Sequence, residues 1–214
     1  MHISTTTTGF FAIAVAVAVS QIFVLVQAQN SPIQSAPFYL LLKSLNASLN
    51  NAHLTPCHEG AAESALCPTK APLTDLTHSQ FFYNTTNPAS DSYPTGILTW
   101  NLPLGPSNNN KTIFVSQPML FQYNDASNVA VPIIFFGDPT DVEFGADGQM
   151  TILQFRDDTK PLALNSNYTA HLSRWYVCDT IPTWYLYQTL AWAMGKAKPQ
   201  NPSCQKVEVY RKWA

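Results

Sequence analysis

A histidine beside a glutamate is the sequence feature closest to a reactive cluster. His58 and Glu59 are adjacent, and His53 lies five residues before His58. An imidazole next to a carboxylate can transfer protons or bind a metal ion. The second histidine of a zinc-binding H-E-x-x-H motif is missing, because a glycine and two alanines follow Glu59. The pattern therefore favours a structural turn between Cys57 and Cys67, and we assign no catalytic, metal or cofactor site here.

Acidic side chains form the second candidate set. Such carboxylates could act in pairs in glycoside hydrolysis or bind Ca²⁺. Adjacent residues of a strand point to opposite faces, so neighbouring aspartates should not face one substrate. We expect exposed turn carboxylates, with a secreted hydrolase that uses Glu59 or one of these residues as the alternative. The set is Asp138, Asp141, Glu143, Asp147, Asp157 and Asp158.

Aromatic residues concentrate near the C-terminus and are the stronger functional feature. Aromatic faces can stack on the apolar faces of sugars, while core packing explains most tryptophans in β-proteins. We select Trp184 and Trp192 as candidate glycan-binding residues, with core packing as the alternative. The cluster comprises Trp175, Tyr176, Trp184, Tyr185, Tyr187, Trp192 and Trp213.

The charge pattern and the missing motifs exclude several classes. Only 24 of 214 residues are charged and the net charge is −2, without a Lys/Arg cluster, so we expect no nucleic-acid partner. No G-x-S-x-G elbow, phosphate-binding glycine loop or dinucleotide fingerprint occurs, so we expect no cofactor of those classes.

The N-terminal segment predicts secretion. Residues 10–26 are almost continuously apolar, and small or aliphatic residues precede Gln29, so a signal peptide over 1–28 is expected. A retained signal anchor is the alternative, since the first nine residues lack Lys and Arg. Removing 28 residues leaves 186, in which we expect a flexible leader at 29–37, one β-rich domain at 38–214 and no stable membrane anchor.

Four Asn-x-Ser/Thr sequons agree with the predicted secretion, and some N-glycosylation is expected on a surface with few charges. They begin at Asn46, Asn84, Asn110 and Asn167.

Four cysteines in an oxidising compartment predict two disulfides. Three connectivities exist. We favour Cys57–Cys67 with Cys178–Cys204, because each pair closes a local loop.

The remaining pattern predicts an all-β fold. Short apolar or alternating segments separated by turn residues give roughly ten to twelve strands, arranged as an antiparallel sandwich or barrel, with a β-trefoil-like fold as the alternative. Asp147-Gly148 predicts a hairpin turn. Residues 183–194 predict a strand that places Trp184 and Trp192 on one face, with a helix over 187–194 as the alternative. The alanines and glutamates of 58–66 predict a short helical turn clamped by a disulfide.

Four segments carry a family resemblance: CHEGAAESALC (57–67), SNVAVPIIF (127–135), RWYVC (174–178) and TLAWAMGKAKPQNPSC (189–204). They resemble a family of small secreted proteins of filamentous fungi, catalogued as a domain of unknown function, and the likeness runs from Phe38 to the end. More distantly, the layout resembles secreted cell-wall proteins of fungal conidiating structures. The resemblance implies a fungal extracellular protein and no particular reaction or site residues.

Together these features predict a secreted, non-enzymatic glycoprotein associated with the cell wall or an external surface, with cell-wall polysaccharide as the candidate partner. The sequence does not indicate an oligomeric state.

Overall fold

The structure is a computed structural model that describes residues 33–71, 77–85, 95–106, 112–157, 159–160 and 169–214. This part of the chain contains 15 strands and no helix, which confirms the all-β expectation. The expected signal peptide lies outside the described residues. The strands are β1 Ile33–Gln34, β2 Phe38–Lys43, β3 His53–Gly60, β4 Glu63–Thr69, β5 Phe81–Thr85, β6 Thr95–Pro106, β7 Thr112–Gln122, β8 Val129–Ile134, β9 Asp141–Phe144, β10 Met150–Gln154, β11 Ala170–Leu172, β12 Trp175–Thr180, β13 Tyr187–Ala193, β14 Gln205–Lys206 and β15 Glu208–Trp213.

Seven strands close into an antiparallel barrel. The pairing runs β2, β3, β4, β8, β7, β6, β5 and back to β2. β9, β10 and β11 extend the sheet from β6, while β13, β12 and β14 extend it from β8. β15 pairs with β2, and β1 pairs with β5. Of the two predicted architectures, sandwich and barrel, the structure therefore shows the barrel, and not the trefoil-like alternative.

The core lies inside this barrel and extends under the added strands. Alternate residues of β2, Phe38, Leu40 and Leu42, are fully buried, as the period of a strand requires. Each such side chain contributes about 1.5–3 kcal/mol through its burial. Trp175 is also buried, and its indole Nε1 donates to the Met150 carbonyl at 2.8 Å, which joins the β12 side to β10.

All six residues of β8 are buried. On one edge of β8, its first residues pair with β13 and its last residues pair with β4. On the other edge, β8 pairs with β7. Pro132 lies where the partner changes from β13 to β4. A proline has no N–H to donate, so this interruption in the ladder accommodates it.

The hairpin predicted at Asp147-Gly148 is confirmed. β9 and β10 pair across it, the Gly145 N–H donates to the Gln149 carbonyl at 2.9 Å, and Gly148 has a φ of 85°. The Gly148 carbonyl accepts from the Arg211 N–H at 2.8 Å, which ties the turn to β15. A side chain at Gly148 would be strained both by the positive φ and by the nearby Arg211 backbone.

The helical turn expected over 58–66 is wrong. These residues belong to the β3–β4 hairpin, which turns at Ala61 and Ala62, with Ala62 at a φ of 59°. The Cys57–Cys67 disulfide joins the two strands, with a Cα–Cα distance of 5.8 Å. Pairing over the length of the hairpin outweighs the modest helix propensity of alanine and glutamate.

Two further segments relate to the expected organisation of the chain. Ile33 and Gln34, which fall in the expected leader, pair with Thr85 and Asn84 of β5, and the flexibility of 29–37 stays a prediction. The strand expected over 183–194 begins only at Tyr187, so residues 181–186 form a loop between β12 and β13.

Candidate functional site

The loop between β12 and β13, residues 181–186, is the aromatic loop of the molecule. The β12–β13 ladder ends at the Thr180–Tyr187 pair, and Pro182 interrupts any further strand. Trp184 is 77% exposed, and Ile181, Tyr185 and Leu186 are also exposed. Four large side chains therefore face solvent within six residues, whereas most other large apolar side chains of the described residues are buried.

The aromatic loop lies on the tip of the β3–β4 hairpin. The Thr183 hydroxyl donates to Glu63 Oε1 at 2.5 Å. A Cβ built on Gly60 would lie 3.9 Å from Trp184 Cδ1, so the hairpin backbone comes close to the indole. The His58 and Tyr185 rings lie 6.1 Å apart between centroids. Three successive loop residues thus contact the hairpin, although more than 100 residues separate the two segments.

A β-bulge puts Glu59 beneath this loop. The register of the β3–β4 ladder shifts between His58 and Gly60, which turns His58 towards solvent and buries Glu59 completely. Among the described residues, neither Glu59 oxygen has a hydrogen-bond partner of ordinary geometry.

The electrostatics of Glu59 follow from its burial. Desolvation raises the pKa of the Glu59 carboxyl above its ordinary value, and the nearby charge of Glu63 acts in the same direction. The backbone N–H groups of Tyr185, Trp184 and Thr183 oppose this rise but do not cancel it. Carboxyl groups with perturbed pKa values are enriched at functional sites. This burial therefore marks the hairpin tip and the aromatic loop as the candidate site.

The opposite side of the hairpin turn is held by Gln117 of β7. This residue is fully buried, and its Nε2 donates to the Ala62 carbonyl at 2.7 Å. The turn that supports the aromatic loop is therefore anchored to the barrel wall. Because the backbone beneath the exposed indole is held in this way, ordering the loop on binding costs less conformational entropy.

The two candidate tryptophans do not lie together. Trp192 is only 6% exposed and belongs to β13, where it packs against Trp175 with ring centroids 4.7 Å apart. Core packing, which was the alternative, describes Trp192. Of the two candidates, Trp184 is the exposed one.

The acidic set is dispersed and forms no common site among its described members. Asp147 accepts from the Gln149 N–H at 3.0 Å in the hairpin turn, and Asp138 and Asp141 are exposed. Asp157 accepts from Lys196 Nζ at 2.7 Å, and this hydrogen bond is the main reason why the pKa of Asp157 falls well below its ordinary value. Asp158 lies outside the described residues.

Glu143 differs from the rest of that set. It is buried, and its Oε2 accepts from the Thr151 hydroxyl at 3.3 Å and contacts His171 Nδ1 at 2.7 Å. His171 lies on β11, 28 residues from Glu143, so only the β9–β10–β11 pairing brings the two together. The pair went unrecognised in the sequence because no local spacing connects these residues.

Two of the four sequons fall within the described residues. Asn46 lies in the β2–β3 connection, and its Oδ1 accepts from both the N–H and the hydroxyl of Ser48 at 2.8 Å. Asn84 lies in β5 between β1 and β6. Asn110 and Asn167 lie outside the described part. Glycosylation at all four stays a prediction.

Within the described ranges, no group of three or more His, Cys, Asp or Glu side chains could hold a metal ion. That part of the chain likewise has no helix long and apolar enough to cross a membrane.

Comparison with known proteins places the chain in a family. The family model described as "Domain of unknown function (DUF7907)" matches residues 35–213. The chain belongs to this family. No curated protein and no solved structure matches the chain.

The DUF7907 match spans both halves of the candidate site. It includes the β3–β4 hairpin that carries Glu59 and the aromatic loop that carries Trp184. It also includes both disulfides, Cys57–Cys67 and Cys178–Cys204. The candidate site is thus part of the DUF7907 domain itself, whose description assigns no function.

Proposed function

We propose that this protein is a secreted fungal glycoprotein that binds polysaccharide of the cell wall or of another external surface through the aromatic loop, without catalysing a reaction. The observation that carries the proposal is Trp184, whose indole is 77% exposed on a loop anchored to the barrel. An exposed, fixed aromatic face is suited to stack on the apolar face of a pyranose ring.

Other observations support an extracellular location. Both disulfides are compatible with an extracellular protein, since such bonds persist in oxidising compartments. The N-terminal apolar run, the sequons and the fungal family resemblance point the same way. A low density of charge leaves aromatic stacking, not ion pairing, as the principal means of recognition.

The proposal is tested by retention of purified protein on insoluble chitin, β-glucan and mannan. The wild type should be retained on at least one polymer, and Trp184→Ala should release it. Phe114→Ala is the matched control, because Phe114 is an exposed aromatic on β7 outside the aromatic loop. Equal retention of Trp184→Ala and wild type would contradict the role of this indole.

A second candidate function, hydrolysis, is favoured by one observation. Burial raises the pKa of the Glu59 carboxyl, as in a general acid, and a second carboxylate, Glu63, lies nearby. Against it, Glu59 is completely buried and needs the aromatic loop to move before it can contact a substrate.

The hydrolase is tested on a panel of glycosides and esters with wild type and Glu59→Gln. If the wild type turns over a substrate and Glu59→Gln does not, the protein is a hydrolase and the non-enzymatic proposal is wrong. Turnover that persists in the variant would exclude Glu59 as the acid.

A further inference from the structure

A polar groove opens beside the first residues of the aromatic loop. It has a volume of about 510 Å³ and lies between the β7–β8 turn and the end of β12. Tyr123 and Asp125 line one side, and Asp179, Ile181 and Asn201 line the other. We refer to it as the Tyr123 groove.

The Asp179 side of the groove is rigid. The Cys178–Cys204 disulfide joins β12 to the segment that follows residue 200. The Asp179 N–H donates to the Ser203 hydroxyl at 2.8 Å, and Asn201 Nδ2 donates to the Asp179 carbonyl at 2.9 Å. These links fix Asn201 and Asp179 relative to each other before any ligand arrives, which lowers the entropic cost of binding.

The Tyr123 side is also ordered locally. Asn124 Oδ1 accepts from the Ala126 N–H at 2.8 Å, and the Asn124 carbonyl accepts from the Ser127 N–H at 3.2 Å. These two hydrogen bonds form a tight turn directly after Tyr123, a residue that is 64% exposed at the mouth of the groove.

The lining combines an aromatic face with planar polar groups. Tyr123 and Ile181 supply exposed apolar surface, while Asp125, Asp179 and Asn201 supply carboxylate and amide groups. The Gln122 side-chain oxygen in the wall is buried without a hydrogen-bond partner among the described residues. An acceptor without a partner favours a ligand that carries hydroxyl donors. A small rotation of the Gln122 side chain would expose its oxygen to such a ligand.

The charge of the groove restricts the ligand further. In the part of the chain that the structure describes, no Lys or Arg lines it, and the carboxylates of Asp125 and Asp179 form no ion pair. An anionic sugar would meet two uncompensated like charges, whereas a neutral or amino sugar would not.

The groove adjoins the indole of the proposed function. Pro182 lines it, and Trp184 follows two residues later, so their Cα atoms lie at most about 7 Å apart. The groove and the aromatic loop are therefore adjacent along the chain at this point.

We propose that the Tyr123 groove is a second subsite for the same polysaccharide, one that accepts pyranose units without an anionic group and rejects uronic acids. Tyr123 stacks on the ring, and the carboxylates of Asp125 and Asp179 accept hydrogen bonds from its hydroxyl groups. The Asn201 Oδ1 already accepts from the N–H and the hydroxyl of Ser203, so Asn201 contributes only the second hydrogen of its Nδ2 as a donor. This inference rests on the proposed binding function and specifies its ligand class.

The test is calorimetric titration of the full secreted protein with four soluble probes. They are oligosaccharides of β-1,3-glucan, chitin and chitosan, and oligogalacturonate as the anionic probe. At least one of the first three should bind, and oligogalacturonate should not. Tyr123→Ala should weaken binding by roughly three- to tenfold, the usual worth of one aromatic contact.

Substitution of the carboxylates gives the specific readout. In Asp125→Asn/Asp179→Asn, oligogalacturonate should gain measurable affinity because the repulsion is removed. Asp138→Asn is the matched control, since Asp138 is an exposed aspartate outside the groove. It should leave all four affinities unchanged.

The outcomes separate the two proposals. If Trp184→Ala abolishes binding while Tyr123→Ala and the double variant match the wild type, the groove is not a subsite and the proposed function stands. Wild-type binding of oligogalacturonate as tight as that of the neutral probes would overturn the ligand class. If none of the four probes binds, the proposed function and the subsite fail together.

Discussion

Two tryptophans eight residues apart show opposite uses of the same side chain. Trp192 sits in β13 against Trp175 and Phe121, with ring centroids 4.7 and 6.0 Å away. Trp184 projects from the aromatic loop, where it lies against the hairpin tip near Gly60. One indole holds the added sheet to the barrel core, and the other remains available to a ligand.

The difference arises where the β12–β13 ladder stops. Extended backbone would place Trp184 and Trp192 on one face, but pairing ends at Tyr187 and the loop takes its own direction. Within β13 the last five residues are all buried, so both faces of this strand are covered. Alternation along the sequence therefore does not distinguish a core indole from an exposed one here.

Removal of the buried indole should have the largest effect. Trp192→Ala is expected to lower the free energy of unfolding by about 3–5 kcal/mol, because it leaves a cavity beside Trp175 and Phe121. Denaturant unfolding monitored by fluorescence of the remaining tryptophans measures it. Trp192→Phe should recover part of the loss, since it refills part of the volume. A loss below about 1 kcal/mol, the size of an ordinary substitution, would show that Trp192 is not a core residue.

The all-β class and the β9–β10 hairpin could be predicted because their signals are local. Turn residues separate short apolar segments, and glycine at position 148 supplies the positive φ that the turn requires. The hairpin at 53–69 was predicted wrongly at its tip, since the propensities of alanine and glutamate pointed to a helix and strand pairing prevailed. Local propensity is a weak guide where tertiary pairing is extensive.

The candidate site could be predicted only in part. Glu59 and Trp184 were each selected from residue type, yet nothing in their spacing indicates that the aromatic loop covers the hairpin. Closure of the barrel through the β2–β5 and β4–β8 pairs is equally non-local. The Glu143–His171 contact depends on two strand pairings, so it too could not be predicted from the spacing of the residues.

Substitution of Glu59, the carboxylate beneath the aromatic loop, should have the next largest effect on the free energy of unfolding, and this effect should depend on pH. Burial raises the pKa of Glu59 in the folded state above its ordinary 4.5. Glu59 therefore contributes stability that is fully present below pH 4.5 and is lost as the pH rises through the folded-state pKa. Glu59→Gln should be more stable than wild type at pH 7, and this advantage should vanish near pH 4.

Urea unfolding at the two pH values measures this difference. His58 and Glu63 are present in both proteins, so the difference between their free energies of unfolding at each pH reports on Glu59. Glu208→Gln, an exposed carboxylate on β15, is the control and should show no such trend. A Glu59→Gln variant that is less stable than wild type at pH 7 would mean that the loop amides, not desolvation, dominate the energy of this carboxylate.

Removal of the exposed indole should have the smallest effect on stability, and it sharpens the contrast with Trp192. Trp184→Ala should change the free energy of unfolding by no more than about 0.5 kcal/mol, as for other surface substitutions, because the indole buries little area in the free protein. Thermal and urea unfolding of this variant beside Trp192→Ala provide the measurement. A loss of several kcal/mol would make Trp184 a clamp that closes the loop over Glu59, and weakened polysaccharide retention would then reflect a disordered loop. A near-zero change together with lost retention assigns the exposed indole to the ligand, since a residue with no structural task has no other reason to be needed for binding.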